Sequence, residues 1–368
     1  MKKFKRISAA LLAGVMCFSL ASCEFADTET EITNGSIKIG VVIPGKQELK
    51  GDEANDLSTI VTLNSINSLT GEGYGVDGER FHYSENIDPN DADAVKNGIT
   101  SLVNIECNMI ILADGGYSDD VVSFAEENPD VQFLVNNYTG QTTPEGNIHS
   151  YSADIAGAQF LSGYVAGLKA AELKKDIIGF LVQNNNNLAN LNAFADGVKS
   201  SNLSARINAK VCNDVKADAA ALIDRTGCSI IAADFYSDDL DDVAIEKNVF
   251  FCGFGTDQYK NSEANKDAQS KILCASAYNY EQYFINAVKA IVDNSEANKT
   301  AETEEDLIPL TFVDCKGNFA SGNTYLTDIN PVNAAKGTNN LLVQATASAT
   351  TFKANPTALT SNTVFVNF

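Results

Sequence analysis

The feature that most constrains the fold of this chain is an alternation of short apolar runs with helical stripes. Runs such as 37–43 and 108–113 are largely apolar and end at Pro or Asp, which is typical of strands buried on both faces. Between them, segment 57–69 carries apolar residues at helical spacing. Alternation of strands with helices predicts a parallel sheet covered by helices on both faces.

The alternation then starts again with a helical segment at 155–171 and continues to a long helix at 280–293. We therefore expect an α/β chain of two doubly wound parallel-sheet lobes joined by a hinge. The N-terminal lobe is expected at 37–153, with a return helix at 278–295, and the C-terminal lobe at 154–277. Residues 296–368 are expected to hold a crossover and a tail. For that tail the sequence leaves two alternatives: short strands at 341–343 and 363–368, or a disordered end.

The N-terminus has the pattern of an export signal. Four basic residues within 2–6 precede an apolar run at 7–20, which is too short for a good transmembrane span. The run ends in Leu-Ala-Ser before Cys23, which resembles a bacterial lipobox. The pattern predicts a signal peptide at 1–22, a lipid on Cys23 and an acidic tether at 23–36. Acyl chains would then hold the protein on the extracytoplasmic face of the cell membrane.

Charge and motif content exclude several classes of function. The chain has 26 Lys and Arg against 48 Asp and Glu, a net charge of -22, which repels the phosphates of nucleic acids. His82 and His149 both lie in predicted strands, where a single His is usually structural. The chain has no P-loop, G-x-S-x-G or H-E-x-x-H motif. We therefore expect no enzyme activity, no cofactor and no metal site.

Six cysteines remain beyond Cys17 and Cys23, and they are scattered through apolar segments without a C-x-x-C motif. This pattern favours small buried hydrophobic residues over a zinc site. An exported protein permits disulfides, so one pair, such as Cys212 with Cys228, stays open.

Several segments in the same order resemble the basic membrane protein family of substrate-binding lipoproteins, which serve ATP-binding-cassette (ABC) importers and include purine nucleoside receptors. Residues 124–133, FAEENPDVQF, are similar to the family's A-K-E-x-P-D-V-K-F stretch, and residues 157–168 to its E-G-A-F-L-A-G-x-x-A-A helix. The other similar segments are 108–117, 147–150, 178–180, 194–198 and 253–258. The resemblance implies a type I periplasmic-binding-protein fold with ligand in the cleft between the lobes.

The chain departs from the family at residues that contact the ribose or base. The loop after Pro44 lacks the D-x-S-F-N motif, and Gly255 stands where the family has the first Asp of its G-V-D-x-D-Q turn. The family's S-M-x-K lysine falls near Ala277 or Tyr278, and no Lys is present there.

Ligand contacts are expected just after strand ends, because parallel sheets bind ligands at the carboxyl ends of their strands. An acid beside an aromatic ring, as at 234–235, suits a sugar or nucleoside, whereas turn chemistry would also explain several of these positions. The residues expected to bind ligand are Asp114, Gly116, Tyr117, Asn137, Asp234, Phe235, Asp257 and Tyr278.

The resemblance implies a monomeric, lipid-anchored binding protein that delivers a nucleoside-like ligand to an ABC permease. The alternative is a surface sensor or orphan lipoprotein of the same fold, with a different ligand or none. The missing ribose-contacting residues and the unusual tail favour the alternative.

Overall fold

The computed structural model describes residues 37–47, 56–70, 78–139, 146–261, 266–298, 300, 303, 306–308, 310–311, 314–330 and 333–368. The predicted signal peptide, lipidated Cys23 and acidic tether lie outside the described residues.

The first part of the chain forms strands and helices in strict alternation up to a final strand pair. Its elements are β1 (Ile39–Val42), α1 (Leu57–Ile66), β2 (Phe81–Ser84), α2 (Ala92–Asn104), β3 (Met109–Leu112), α3 (Ser118–Glu127), β4 (Gln132–Asn136) and β5 (Ile148–Ala153).

The second part repeats the alternation and ends in short elements. These are α4 (Ala156–Leu173), β6 (Ile177–Val182), α5 (Ala189–Ser201), β7 (Arg206–Val211), α6 (Val215–Thr226), β8 (Ile230–Ala233), α7 (Asp239–Glu246), β9 (Phe250–Gly255), α8 (Gln258–Asn261), α9 (Lys266–Gln269), β10 (Ile272–Tyr278), α10 (Glu281–Asn298), β11 (Cys315–Gly317), β12 (Thr324–Leu326), α11 (Thr338–Ala349) and β13 (Thr363–Phe365).

The strands form two sheets, as the alternation predicts. The first has the order β11-β5-β4-β3-β1-β2 and is parallel throughout. The second has the order β12-β10-β9-β8-β6-β7-β13 and is parallel except for β12, which runs antiparallel to β10. The predicted architecture of two doubly wound lobes is confirmed.

Each sheet is buried on both faces because successive side chains of a strand point to opposite sides. In β3, Met109 and Ile111 join the core that contains α1 and α10. Ile110 and Leu112 join the opposite core, beneath α2 and α3. This double burial is the physical reason why the strands are continuously apolar rather than alternating.

The chain passes between the two sheets three times: from β5 to α4, from β10 to α10 and from β11 to β12. Helix α10 follows a strand of the second sheet but packs on the first, where Phe284 and Val288 are fully buried in the core shared with α1. The predicted return of this helix to the first lobe is thus observed.

The tail differs in part from its prediction. The strand considered at 341–343 is wrong, because these residues lie within helix α11. Leu342, Ala345 and Ala349 recur at helical spacing and pack against Phe160 and Leu161 of α4. Of the strand considered at 363–368, the structure forms β13, which extends the second sheet parallel to β7.

The six cysteines of the described chain are all free, so the pair considered between Cys212 and Cys228 is absent here. Cys107, Cys228, Cys252 and Cys274 are buried, as expected of small hydrophobic residues.

Candidate functional site: a cavity at the strand ends

A cavity of about 260 Å³ lies where the carboxyl ends of β3 and β4 meet the start of α1 and the crossover after β10. We call it the strand-end cavity. It is lined by Asp56, Leu57, Ser58, Val61, Asp114, Gly115, Asn136, Asn137, Tyr278 and Tyr280. This is the edge of the sheet at which α/β proteins bind their ligands.

One wall is the first turn of α1. Asp56 is the N-cap of this helix, and its carboxylate accepts a hydrogen bond from the Thr59 backbone N–H at 2.6 Å. The Ser58 hydroxyl lies 2.9 Å from Asp56 Oδ2 and 3.3 Å from Asp114 Oδ2, so it sits between the two carboxylates. An Asp directly before a helical stripe is a standard N-cap signal. That signal could have located Asp56 from the sequence, which our ligand-site prediction missed.

The loop after β3 supplies Asp114 and Gly115. Asp114 caps a short 3₁₀ turn and accepts a hydrogen bond from the Gly116 backbone N–H at 2.8 Å. Gly116 itself is exposed and does not line the cavity; its neighbour Gly115 does. The loop that was predicted to bind ligand therefore borders the cavity through Gly115, one residue before the predicted Gly116.

Tyr117 packs in the core instead of lining the cavity. Its ring is fully buried against α2 and α3, and its hydroxyl donates a hydrogen bond to the Ile87 carbonyl at 2.8 Å. Burial, together with the nearby Asp114 and Asp56 carboxylates, raises the pKa of the Tyr117 hydroxyl. These contacts give Tyr117 a structural role.

Two consecutive amides follow β4. Asn137, a predicted ligand residue, lines the cavity with a left-handed backbone at φ 47°. Asn136 also lines it and is only 8% exposed. The Asn136 amide group donates to the Ala113 carbonyl at 2.9 Å, while its Oδ1 has no hydrogen-bond partner among the described residues.

Tyr278, the last residue of β10, and Tyr280, in the crossover that follows it, form the remaining wall. The rings of Tyr278 and Tyr280 are nearly parallel, with an interplanar angle of 14° and centroids 6.2 Å apart. Phe254 packs edge-on against Tyr278. Tyr278 was predicted from its position in the chain, whereas Tyr280 carries no separate sequence signal.

The remaining three predicted ligand residues lie in the second lobe, outside the strand-end cavity. Asp234 accepts a hydrogen bond from the Gln183 backbone N–H at 2.8 Å, and burial raises the pKa of its carboxyl to about 6. Phe235 is partly buried against the core of α6 and α7. Asp257 accepts a hydrogen bond from the Lys260 backbone N–H at 3.2 Å and pairs with the Lys260 ammonium at 3.2 Å.

The two lobes touch beside the cavity. Leu57 at the start of α1 packs with Ile155, Phe254 and Tyr278. The Asn64 side-chain amide donates to Thr256 Oγ1 at 3.3 Å. The start of α1 therefore contacts the second lobe as well as the strand-end cavity.

The described residues include no group of three His, Cys, Asp or Glu side chains that could hold a metal ion. His149 hydrogen-bonds through Nε2 to Gln132 Oε1 at 2.9 Å, and burial lowers the pKa of its ring. Within the same residues, no helix combines the length and apolar character needed to cross a membrane.

Comparisons with known proteins show the family and the fold of the chain. Residues 75–301 match the family described as Bmp, ABC transporter substrate-binding protein PnrA-like. No curated protein sequence matches the chain significantly.

Solved structures of similar fold cover 85% of the chain. A solute-binding protein of an ABC transporter from Conexibacter woesei has a TM-score of 0.62 at 16% identity and is covered over 95% of its length. A transcriptional activator of the comK gene from Bacillus halodurans has a TM-score of 0.61 at 16% identity, with 98% of its length covered. A solute-binding protein from Aeropyrum pernix K1 has a TM-score of 0.55 at 13% identity, with 85% covered. These likenesses show the type I periplasmic-binding-protein fold.

The family match spans more than half of the chain, from before β2 to the end of α10. The chain therefore belongs to the Bmp family of PnrA-like substrate-binding proteins of ABC transporters.

Proposed function

We propose that this protein is a lipid-anchored receptor of an ABC importer and that it binds a small, polar, nucleoside-like ligand in the strand-end cavity. Its family is one of substrate-binding proteins rather than of enzymes. Proteins of this kind take up a small molecule on the extracytoplasmic side and present it to a permease.

The observation that carries the ligand proposal is the combination of an aromatic wall with hydrogen-bonding groups at the strand ends. Tyr278 and Tyr280 offer ring surface for a flat ligand, and aromatic rings stack favourably on bases. Asn137 supplies both a donor and an acceptor, which suits the edge of a base or a pair of hydroxyls. The volume of about 260 Å³ favours a ligand of nucleoside size or smaller.

The lipid anchor is supported by the lipobox-like sequence before Cys23. We expect Cys23→Ser to release the folded protein from membranes, because the acyl chains provide its strong hydrophobic attachment. A variant that still sediments entirely with membranes would contradict the anchor.

The ligand is tested first by mass spectrometry of small molecules released when freshly purified protein is denatured. The same protein, stripped of ligand, is then titrated calorimetrically with nucleosides and nucleobases. We expect Tyr278→Leu to weaken binding about tenfold, since losing a stacked ring costs about 1–3 kcal/mol and each 1.4 kcal/mol is a factor of ten.

The matched control is Phe124→Leu, which also removes an aromatic ring but lies on α3 of the first lobe, outside the cavity. Equal affinities in both variants would contradict a ligand site against Tyr278. The absence of both a released ligand and saturable binding would favour the orphan lipoprotein instead.

A further inference from the structure

We propose that the ligand of the strand-end cavity carries a positive charge, in the form of an ammonium group held by Asp56, Asp114 and Asn136. This inference rests on the proposed function, because it names the charge class of the molecule that the receptor binds there.

The two carboxylates are close together, and among the described residues one side-chain donor, the Ser58 hydroxyl, lies between them. One oxygen of Asp56 accepts a hydrogen bond from the Thr59 backbone N–H, and one oxygen of Asp114 accepts a hydrogen bond from the Gly116 backbone N–H. Between them lies the Ser58 hydroxyl, within 3.3 Å of both. Because a hydroxyl has one proton, Ser58 cannot donate to both acids at the same time. The pair therefore retains acceptor capacity on the side of the cavity.

Asn136 gives independent evidence for a donor-bearing ligand. Its side chain is more than nine-tenths buried and lines the same cavity. The bond from its Nδ2 to the Ala113 carbonyl fixes which end of the amide is the donor, so the unpaired atom is the carbonyl oxygen. A buried acceptor without a partner is unfavourable, and a ligand N–H group placed there would pair it.

Among the residues that the structure describes, the lining contains no Lys, Arg or His to balance the two carboxylates. Tyr278 occupies the region where the family resemblance would place a lysine, and its ring adds a π face instead of a charge. An ammonium group is attracted both to carboxylates and to the faces of tyrosine rings. A phosphate or carboxylate ligand would instead bring a like charge beside Asp56 and Asp114.

The test compares ligands that share one scaffold and differ in charge. The first series is 5′-amino-5′-deoxyadenosine, adenosine and adenosine 5′-monophosphate. The second is tyramine, 4-ethylphenol and 4-hydroxyphenylacetate. Calorimetric titration of the full-length protein is expected to show the amine binding at least tenfold more tightly than the neutral compound in at least one series. The anion of that series is expected to bind more weakly than both.

Asp114→Asn keeps the acceptor for the Gly116 N–H but removes the charge, and we expect it to reduce the preference for the amine by about tenfold. The matched control is Asp130→Asn, which removes one charge from an exposed turn before β4, at the opposite end of the strands. This control is expected to keep the preference unchanged.

An anion that binds as tightly as its amine, or a preference that survives in Asp114→Asn, would overturn the charge assignment. If adenosine binds and the Tyr278→Leu change weakens it, but no amine preference is seen, the charge proposal fails while the proposed function stands. If the purified protein releases a ligand that is neutral or anionic, the charge proposal again fails alone. Binding of none of the six compounds, with no released ligand, contradicts both.

Discussion

At the scale of single residues, burial decides the charge of two acidic side chains in the second lobe. Asp234 hydrogen-bonds to the Gln183 N–H, and burial raises the pKa of its carboxyl to about 6. Asp241 on α7 is only 9% exposed, and burial next to the Asp238 and Asp242 carboxylates raises its pKa to about 8. A raised pKa means that the folded chain binds the proton more tightly than the unfolded chain, so the stability of the folded state depends on pH.

Because the pKa of Asp241 is raised, we expect the folded state to lose stability as the pH rises. The unfolded carboxyl has a pKa of about 4, so the folded chain binds this proton more tightly than the unfolded chain. Its stabilising contribution is complete below about pH 4 and is lost as the pH rises towards the folded pKa of about 8. Asp241→Asn removes this titration, and we expect its free energy of unfolding, relative to the unmodified protein, to rise between pH 5 and pH 8 by a few kcal/mol.

Urea denaturation at the two pH values measures this difference. Asp267→Asn, which removes an exposed acid in the first turn of α9, is the matched control and is expected to show little change. An Asp241→Asn variant whose relative stability is the same at both pH values would contradict the role given to this carboxyl.

Because Tyr117 packs in the core, we expect removal of its hydroxyl to lower stability without lowering ligand affinity. Tyr117→Phe keeps the buried ring but leaves the Ile87 carbonyl without its hydroxyl donor. We expect the free energy of unfolding to fall by about 1 kcal/mol. Tyr164→Phe is the control, because no hydrogen bond of the Tyr164 hydroxyl is found among the described residues. A Tyr117→Phe protein that melts normally but binds ligand more weakly would return Tyr117 to the site.

At the scale of elements, the second lobe depends on a close crossing of α4 and α5. Gly163 of α4 faces the Phe194 backbone of α5, and Gly197 of α5 faces the Phe160 backbone of α4. A Cβ on either glycine would overlap the facing carbonyl oxygen. The small residues of α4 thus allow close packing against the next helix in the chain.

Gly163→Ala is therefore expected to destabilise the protein even though alanine favours helices. The added methyl group would separate the helix backbones, and overpacking of this kind costs about 1–3 kcal/mol or more. Gly78→Ala is the control, because no atom of the described residues lies within 4 Å of a Cβ at that position. Thermal denaturation of both variants measures the effect; equal melting temperatures would mean that α4 and α5 separate without cost.

At the scale of the whole molecule, the two lobes are joined by three crossovers and touch through Leu57 and the Asn64–Thr256 hydrogen bond. The strand-end cavity lies beside this contact, so a ligand there would bear on the relative position of the lobes. Proteins of two lobes around one ligand site commonly close by rotation about their connections.

We expect ligand to reduce the radius of gyration of the protein in solution. Small-angle X-ray scattering of the ligand-free and saturated protein measures this change. Asp114→Asn, at a ligand concentration too low to saturate it, serves as the control and is expected to keep the ligand-free value. An unchanged radius during saturable binding would contradict closure of the lobes.

The sequence by itself determined the two-lobe α/β fold. Continuously apolar strands that alternate with helical stripes satisfy their hydrogen bonds and bury their side chains in one arrangement, a parallel sheet covered on both faces. The same logic located the loops after β3 and β4, since strand ends can be read from the apolar runs, whereas Tyr278 was predicted from the position of the family's lysine.

Only the tertiary structure decided which side chains of those loops face the cavity. Gly115 rather than Gly116 lines it, Asn136 joins Asn137, and Tyr117 turns into the core. Which side chain faces the cavity depends on where the backbone turns at the end of a strand, to within one residue. The periodicity of the sequence does not locate that turn so closely. The tail follows the same rule: residues 341–343 are helical because α11 buries Leu342 and Ala345 against α4, a surface far away in sequence.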